Sequence, residues 1–187
     1  MYRWAVCLLV VGCAHEAKPV APSPSGEGPQ LWMQVAGDGE PTVVFEASGG
    51  EDSTVWDRIE PEVRLRSGVR TVVYDQAGRG KSAPVPGPHR LDQDVAALDQ
   101  ALARFAIKGP LILVAHGDGG LVAERMAATH PRVVGVVRVD ASAPDAAAVA
   151  SAAPHEVVEA TGQEMRAQLE VVAQAVARLL QRLHASP

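Results

Sequence analysis

Leu111-Ile112-Leu113-Val114-Ala115-His116-Gly117-Asp118-Gly119-Gly120 is the stretch that decides the fold. Its first five residues are continuously apolar, the mark of a strand buried on both faces. The next residues compress three glycines and an aspartate into a sharp turn. Gly120 to His130 reads as a helix stopped by Pro131, and Val133 to Val139 as a further strand ending at Asp140.

The alternation continues outward. Leu31 to Ala36 alternates and runs into Gly37-Asp38-Gly39, a strand followed by a turn. Thr42 to Glu46 is a short β-branched and aromatic strand. Val55 to Leu65 has apolar positions 55, 56, 59 and 63 at helical spacing, and Thr71 to Tyr74 is another strand. Leu91 to Ile107 repeats apolar residues at 91, 95, 98, 102 and 105 before Gly109-Pro110 closes it. Strands alternating with helices of this length indicate an α/β fold with a mainly parallel sheet covered on both faces. Ligands of such sheets sit outside the carboxyl ends of the strands. The turns that matter are therefore 46–53, 75–82, 115–120 and 140–144.

Two phosphate-binding readings of the glycines fail on single residues. Gly78-Arg79-Gly80-Lys81-Ser82 ends like a Walker loop, but Asp75 stands where the first glycine belongs and would repel a phosphate. Gly117-x-Gly119 is part of a dinucleotide fingerprint, but Val122 replaces the third small residue that lets helix and strand pack closely.

The segment Ala115-His116-Gly117-Asp118-Gly119-Gly120 resembles the nucleophile elbow of the α/β-hydrolase family, usually small-His-Ser-x-Gly-Gly. Further segments extend the resemblance in family order. Phe45-Glu46-Ala47-Ser48-Gly49-Gly50 with Val55-Trp56 resembles the oxyanion turn and first helix. Tyr74-Asp75-Gln76-Ala77-Gly78-Arg79-Gly80-Lys81-Ser82 is similar to the Tyr-Asp-x-x-Gly-x-Gly-x-Ser loop, and Val137-Arg138-Val139-Asp140-Ala141-Ser142 to the strand ending Val-Asp-Ala-Ser. The resemblance implies carboxylic-ester hydrolysis through an acyl-enzyme, with no cofactor and no metal, acting on a small acyl-type ligand.

An elbow needs small residues two before and two after its nucleophile, because strand and helix approach closely there. Ala115 and Gly119 meet that demand, which puts the nucleophile position at Gly117, where no side chain exists. Asp118 is the rival, a carboxylate nucleophile of the kind found in related dehalogenases, but that register sets His116 at the small position. In the first register the backbone N–H groups of Gly49 and Asp118 form the oxyanion hole, and Ala115, His116, Gly119 and Gly120 support the turn. Asp140 is either a displaced acid or a structural residue. His89 and His130 read as surface residues. The family's acid and histidine follow later strands, and the chain is expected to end before those strands, with His155 and His184 following none. The function expected is therefore that of a hydrolase descendant inactive as an esterase, or alternatively of a binding or self-association module.

The remaining readings concern the ends. Trp4 to Val11 is an uncharged run behind Arg3, far shorter than the roughly 20 apolar residues of a spanning helix. Val10-Val11-Gly12-Cys13 resembles the lipobox of bacterial lipoproteins, which implies removal of residues 1–12 and lipidation of Cys13. Residues 13–30 carry Pro19, Pro22, Pro24 and Pro29 and read as a tether. The protein is thus expected to be exported and lipid-anchored to a bacterial membrane, on its periplasmic or cell-surface side. Residues 31–144 form the hydrolase-like core and 145–187 a helical, cap-like segment. In the latter, Thr161-Gly162-Gln163-Glu164 reads as a capping box. Met165, Leu169, Val172, Val176, Leu179 and Leu183 then form a heptad stripe, either packed on the domain or available for self-association through residues 163–184.

Composition bounds these readings. The 187 residues suit one domain, and 47% hydrophobic with 21% charged excludes a disordered tail or a polytopic membrane protein. Aromatics are 4%, so Val, Leu, Ile and Ala must build the core around Trp32, Phe45, Trp56, Tyr74 and Phe105. Seventeen Lys and Arg against 22 Asp and Glu, without a basic run, argue against a nucleic-acid partner.

Overall fold

A computed structural model describes residues 29–87, 89–140, 155–158 and 168–185. Among these residues six strands form one sheet: β1 (Met33–Ala36), β2 (Thr42–Glu46), β3 (Arg70–Tyr74), β4 (Leu111–His116), β5 (Val133–Val139) and β6 (His155–Val158). Their spatial order is β1-β3-β2-β4-β5-β6. All neighbours are parallel except β1, which runs antiparallel to β3 with Met33 opposite Tyr74. The apolar run read from the sequence is central: β4 lies between β2 and β5, and Leu111 to Ala115 are all buried.

Among the described residues four helices cover the sheet, namely α1 (Ile59–Ser67), α2 (Leu91–Arg104), α3 (Gly120–Thr129) and α4 (Leu169–Ala185). Side chains alternate across each strand. Val44, Val72, Leu111 and Leu113 join α2 and α3 on one face. Val43, Phe45, Ile112 and Val114 join α1 and α4 on the other. The doubly covered α/β architecture is therefore the one the alternation implied.

Three differences from the sequence reading have physical reasons. The expected helix from Val55 is split: Asp52 caps a single 3-10 turn at Ser53–Trp56, and α1 starts at Ile59, with Pro61 in its first turn where the missing N–H costs nothing. The segment 145–187 is not wholly helical. Residues His155–Val158 add a sixth strand parallel to β5, with Val137 beside Glu156, so the sheet continues past the strand expected to be its last and His155 opens a strand. Its four-residue length left no period to read; the β5 edge supplies the pairing. Finally, α4 begins at Leu169, while the capping box lies outside the described residues. The stripe of α4 is turned inward: Val172, Val176 and Leu179 are fully buried in the second core. Of the stripe in residues 163–184, Leu169 and Leu183 are partly buried against the same core.

The α4 contact is close. A Cβ at Gly135 in β5 would stand 2.4 Å from Leu179 Cδ2. An ion pair from Arg66 to Glu170, 2.8 Å, ties α1 to α4 at the surface.

Candidate functional site

The register of the parallel strands gathers the glycine turns at one edge. Glu46, last in β2, lies beside Ala115, and His116, last in β4, beside Val139. Chain ends of β2, β3, β4 and β5 thus meet where the sequence placed its candidate residues.

At the end of β4 the backbone turns on Gly117, whose φ is +53°, and passes through a 3-10 turn into α3. A left-handed residue between strand and helix is the conformation an elbow requires, and glycine adopts it without strain. Gly119 answers a different demand. A Cβ there would stand 2.5 Å from the Ala47 carbonyl oxygen and 2.9 Å from Glu46 Cγ, so only glycine lets α3 pass β2 this closely. Ala115, two residues before Gly117, is buried, and Gly120 starts α3 near Arg138.

Asp118 follows the left-handed residue, and its carboxylate turns back toward the β2 loop. Ser48 Oγ donates to Asp118 Oδ1 at 2.5 Å, and the Gly49 N–H donates to the same oxygen at 2.6 Å. The Ser48 hydroxyl, then the Gly49 N–H, hold the carboxyl below its ordinary range against a smaller opposing effect of burial. Gly49 and Asp118, expected to line an oxyanion hole through their N–H groups, are indeed adjacent, but the Gly49 N–H is engaged by a side-chain carboxylate.

His116 leaves the end of β4 on the other side. Its Nδ1 lies 2.7 Å from Glu51 Oε2, and its ring stands edge-on to the buried Trp56 at 6.5 Å. His89 lies by Asp94 and His130 by Thr129, while His184 Nδ1 bonds the Leu180 carbonyl. Among the described side chains, each of these histidines has a partner other than residues 117 and 118. Asp140 follows β5 in a left-handed conformation, φ +48°, which aspartate tolerates. Cys13 lies outside the described residues.

Asp75, which argued against a Walker loop, has a structural task. It is buried, and its two oxygens accept the N–H groups of Ser53 and Lys81, each at 2.8 Å. The loop returns on Gly78 and Gly80, both with positive φ, with Gly80 pressed against that carboxylate.

Two residues escaped the sequence reading. Ser48 is the partner of Asp118 already described; its position in the oxyanion turn was its only signal. Glu46 ends β2 buried beneath the elbow. Gln76 Nε2 donates to its Oε1, and its Oε2 has no hydrogen-bond partner. Burial pushes its carboxyl up to about 8, more than the Gln76 hydrogen bond lowers it, and the charges of Asp94 and Asp118 push in the same direction as burial. An acidic residue closing a buried strand was the available clue.

A cavity of about 370 Å³ opens above the elbow, with Gly49, Gln76, Arg79, Asp94, Asp118 and Leu121 on its wall. Among the described residues no His, Cys, Asp and Glu group could hold a metal ion, and no helix is long and apolar enough to cross a membrane.

A family model described as the alpha/beta hydrolase family matches residues 35–185. The uncharacterized protein YqjL of Bacillus subtilis is 31% identical over 107 residues, 57% of this chain and 42% of that protein. A hydrolase from Pseudomonas aeruginosa PA01 superposes with a TM-score of 0.58 at 25% identity, over 68% of this chain and 48% of the other. The enol-lactonase from Burkholderia xenovorans LB400 gives 0.56 at 24% identity, over 62% and 45%. The chain spans less than half the length of each of these relatives.

Proposed function

Because the chain belongs to the α/β-hydrolase family, we propose that it holds a small acyl-type ligand at the carboxyl edge of its sheet and does not turn esters over through its elbow. One observation carries this reading: the left-handed elbow residue is Gly117, which offers no atom to attack a carbonyl. Asp118 does not replace it in the same geometry, since it lies one residue beyond the left-handed turn and its carboxylate is bound to Ser48 and Gly49. The Gly49 N–H is thereby withdrawn from a substrate oxyanion. An oxyanion hole with binding alone keeps roughly 10³ to 10⁴-fold catalysis over water in proteases stripped of their triads, far below an enzyme's range.

Steady-state turnover of p-nitrophenyl acetate and butyrate tests the reading. No sustained release above the buffer rate is expected. Sustained turnover that disappears in Asp118→Asn or Asp140→Asn would overturn it.

The location follows the same kind of inference. The uncharged run 4–11, Cys13 behind Gly12 and the proline-rich segment after it support export and anchoring of the protein by acylated Cys13. Expression of Cys13→Ser in a bacterial host should move the protein from the membrane fraction to the soluble fraction; unchanged membrane partition would sink the anchor.

A further inference from the structure

The elbow lacks a side-chain oxygen, but a hydroxyl stands opposite. A Cβ built at Gly117 would lie 2.9 Å from Ser48 Oγ and 3.3 Å from Ser48 Cβ. Ser48 therefore reaches from the β2 loop into the space that a side chain at 117 would use. Its proton is committed to Asp118 Oδ1 at 2.5 Å. Among the described serines no other donates to a carboxylate: Ser82 Oγ bonds the Asp75 carbonyl and is buried, as is Ser53. Ser48 is only half-buried, and its partner Asp118 and its chain neighbour Gly49 both face the cavity.

A serine hydroxyl becomes a nucleophile when an adjacent base takes its proton. We propose that Ser48 is a displaced nucleophile that an activated ester acylates once per chain. Ser48 Oγ forms the bond to the carbonyl carbon while its proton passes to Asp118. The bond from that carbon to the leaving oxygen breaks, and the proton returns from Asp118 to the departing phenolate or alkoxide. The products are the alcohol and an ester of Ser48, with no further reactant. Release of the acyl group needs an activated water. The adduct is an alkyl ester, whose serine alkoxide leaves far less readily than p-nitrophenolate, so the assistance from Asp118 that suffices for an activated ester does not suffice for this second step. The histidines with described side chains are engaged elsewhere, so the adduct persists. This inference rests on the reading that residue 117 sustains no turnover, and deepens it by naming the ligand's fate.

The experiment mixes the full chain with p-nitrophenyl acetate, follows p-nitrophenolate, and maps acetylated peptides by mass spectrometry. The expected result is a burst of about one phenolate per chain without sustained release, with the acetyl group on Ser48. Ser48→Ala, with unchanged circular dichroism, should lose both burst and adduct. Asp118→Asn should slow the burst on the order of 10²-fold, the usual contribution of a positioned base. Should Ser48→Ala fail to fold, the peptide map of the unaltered chain decides by itself. No acetyl group on Ser48, with no turnover, overturns this inference and leaves the preceding reading intact. Sustained turnover overturns the preceding reading; if Ser48→Ala leaves it unchanged, the inference falls as well.

Discussion

Glu46 and Asp118 stand at the same edge of the sheet on neighbouring chain segments, yet their carboxyl groups are pushed in opposite directions. Glu46 is 2% exposed, with one oxygen unpartnered, and burial raises it to about 8. Asp118 is exposed to the cavity and receives two hydrogen bonds on one oxygen, which lower it. Near neutral pH one is an uncharged element of the core and the other an anion. The difference teaches that solvent access and donor count, rather than residue type or distance from the elbow, assign the charge at this edge.

Changing Glu46 breaks the comparison most strongly. Its folded carboxyl at about 8 lies above the ordinary value of 4.5. The folded state therefore keeps a proton that the unfolded chain releases, and stability falls as pH rises from 4.5 toward 8 before levelling off. Glu46→Gln removes that loss: denaturant melts should show a gain of about 3 kcal/mol at pH 7 and little change near pH 4. Equal gains at both pH values would show that Glu46 is not neutral when folded.

Gly119→Ala attacks the framework that brings the two acids together. With the new carbon 2.5 Å from the Ala47 carbonyl, thermal unfolding should register a loss of about 2 kcal/mol. Gly117→Ser should cost somewhat less, about 1 to 2 kcal/mol for a left-handed non-glycine residue, because its collision is with the movable Ser48 hydroxyl. It should not create sustained esterase activity; efficient turnover of p-nitrophenyl esters would show that a base already stands in place.

Asp118→Asn is expected to have the smallest effect on stability, about 1 kcal/mol, since solvent competes for its hydrogen bonds. Its carboxyl is lowered on folding, so its stabilisation is present above the ordinary value of 3.8 and disappears as pH falls through the folded value. The loss in Asp118→Asn should accordingly be full near pH 7 and shrink below pH 3.8, where the unaltered chain also loses this anion; a loss of equal size at pH 7 and at pH 2 would mean that the anion is not the stabilised form.

The framework of this edge was legible in the sequence because its signals are local. Leu111 to Ala115 allows no exposed face, Gly119 sits where strand and helix touch, and Gly117 occupies a turn that a side chain would strain. The chemistry was less legible because it depends on contacts between distant residues. Ser48 meets Asp118 across 70 positions, and Glu46 owes its neutrality to burial beneath the elbow, against the opposing hydrogen bond from Gln76. The His155–Val158 strand was hidden for another reason: four residues in an alanine-rich stretch show no alternation, and their extended form is stabilised by β5. The heptad of α4 was visible, but periodicity reports an apolar face without naming what it touches.

The burial of α4 also dictates an order of events during synthesis. Val43, Phe45, Ile112 and Val114 leave the ribosome long before Val172, Val176 and Leu179, which complete their side of the sheet. Throughout that interval this face has α1 but lacks α4, and an exposed apolar sheet surface invites association with other chains. Only the other face, closed by α2 and α3, has all of its partners by residue 136. The nascent chain thus has a finished side and an unfinished side until α4 emerges.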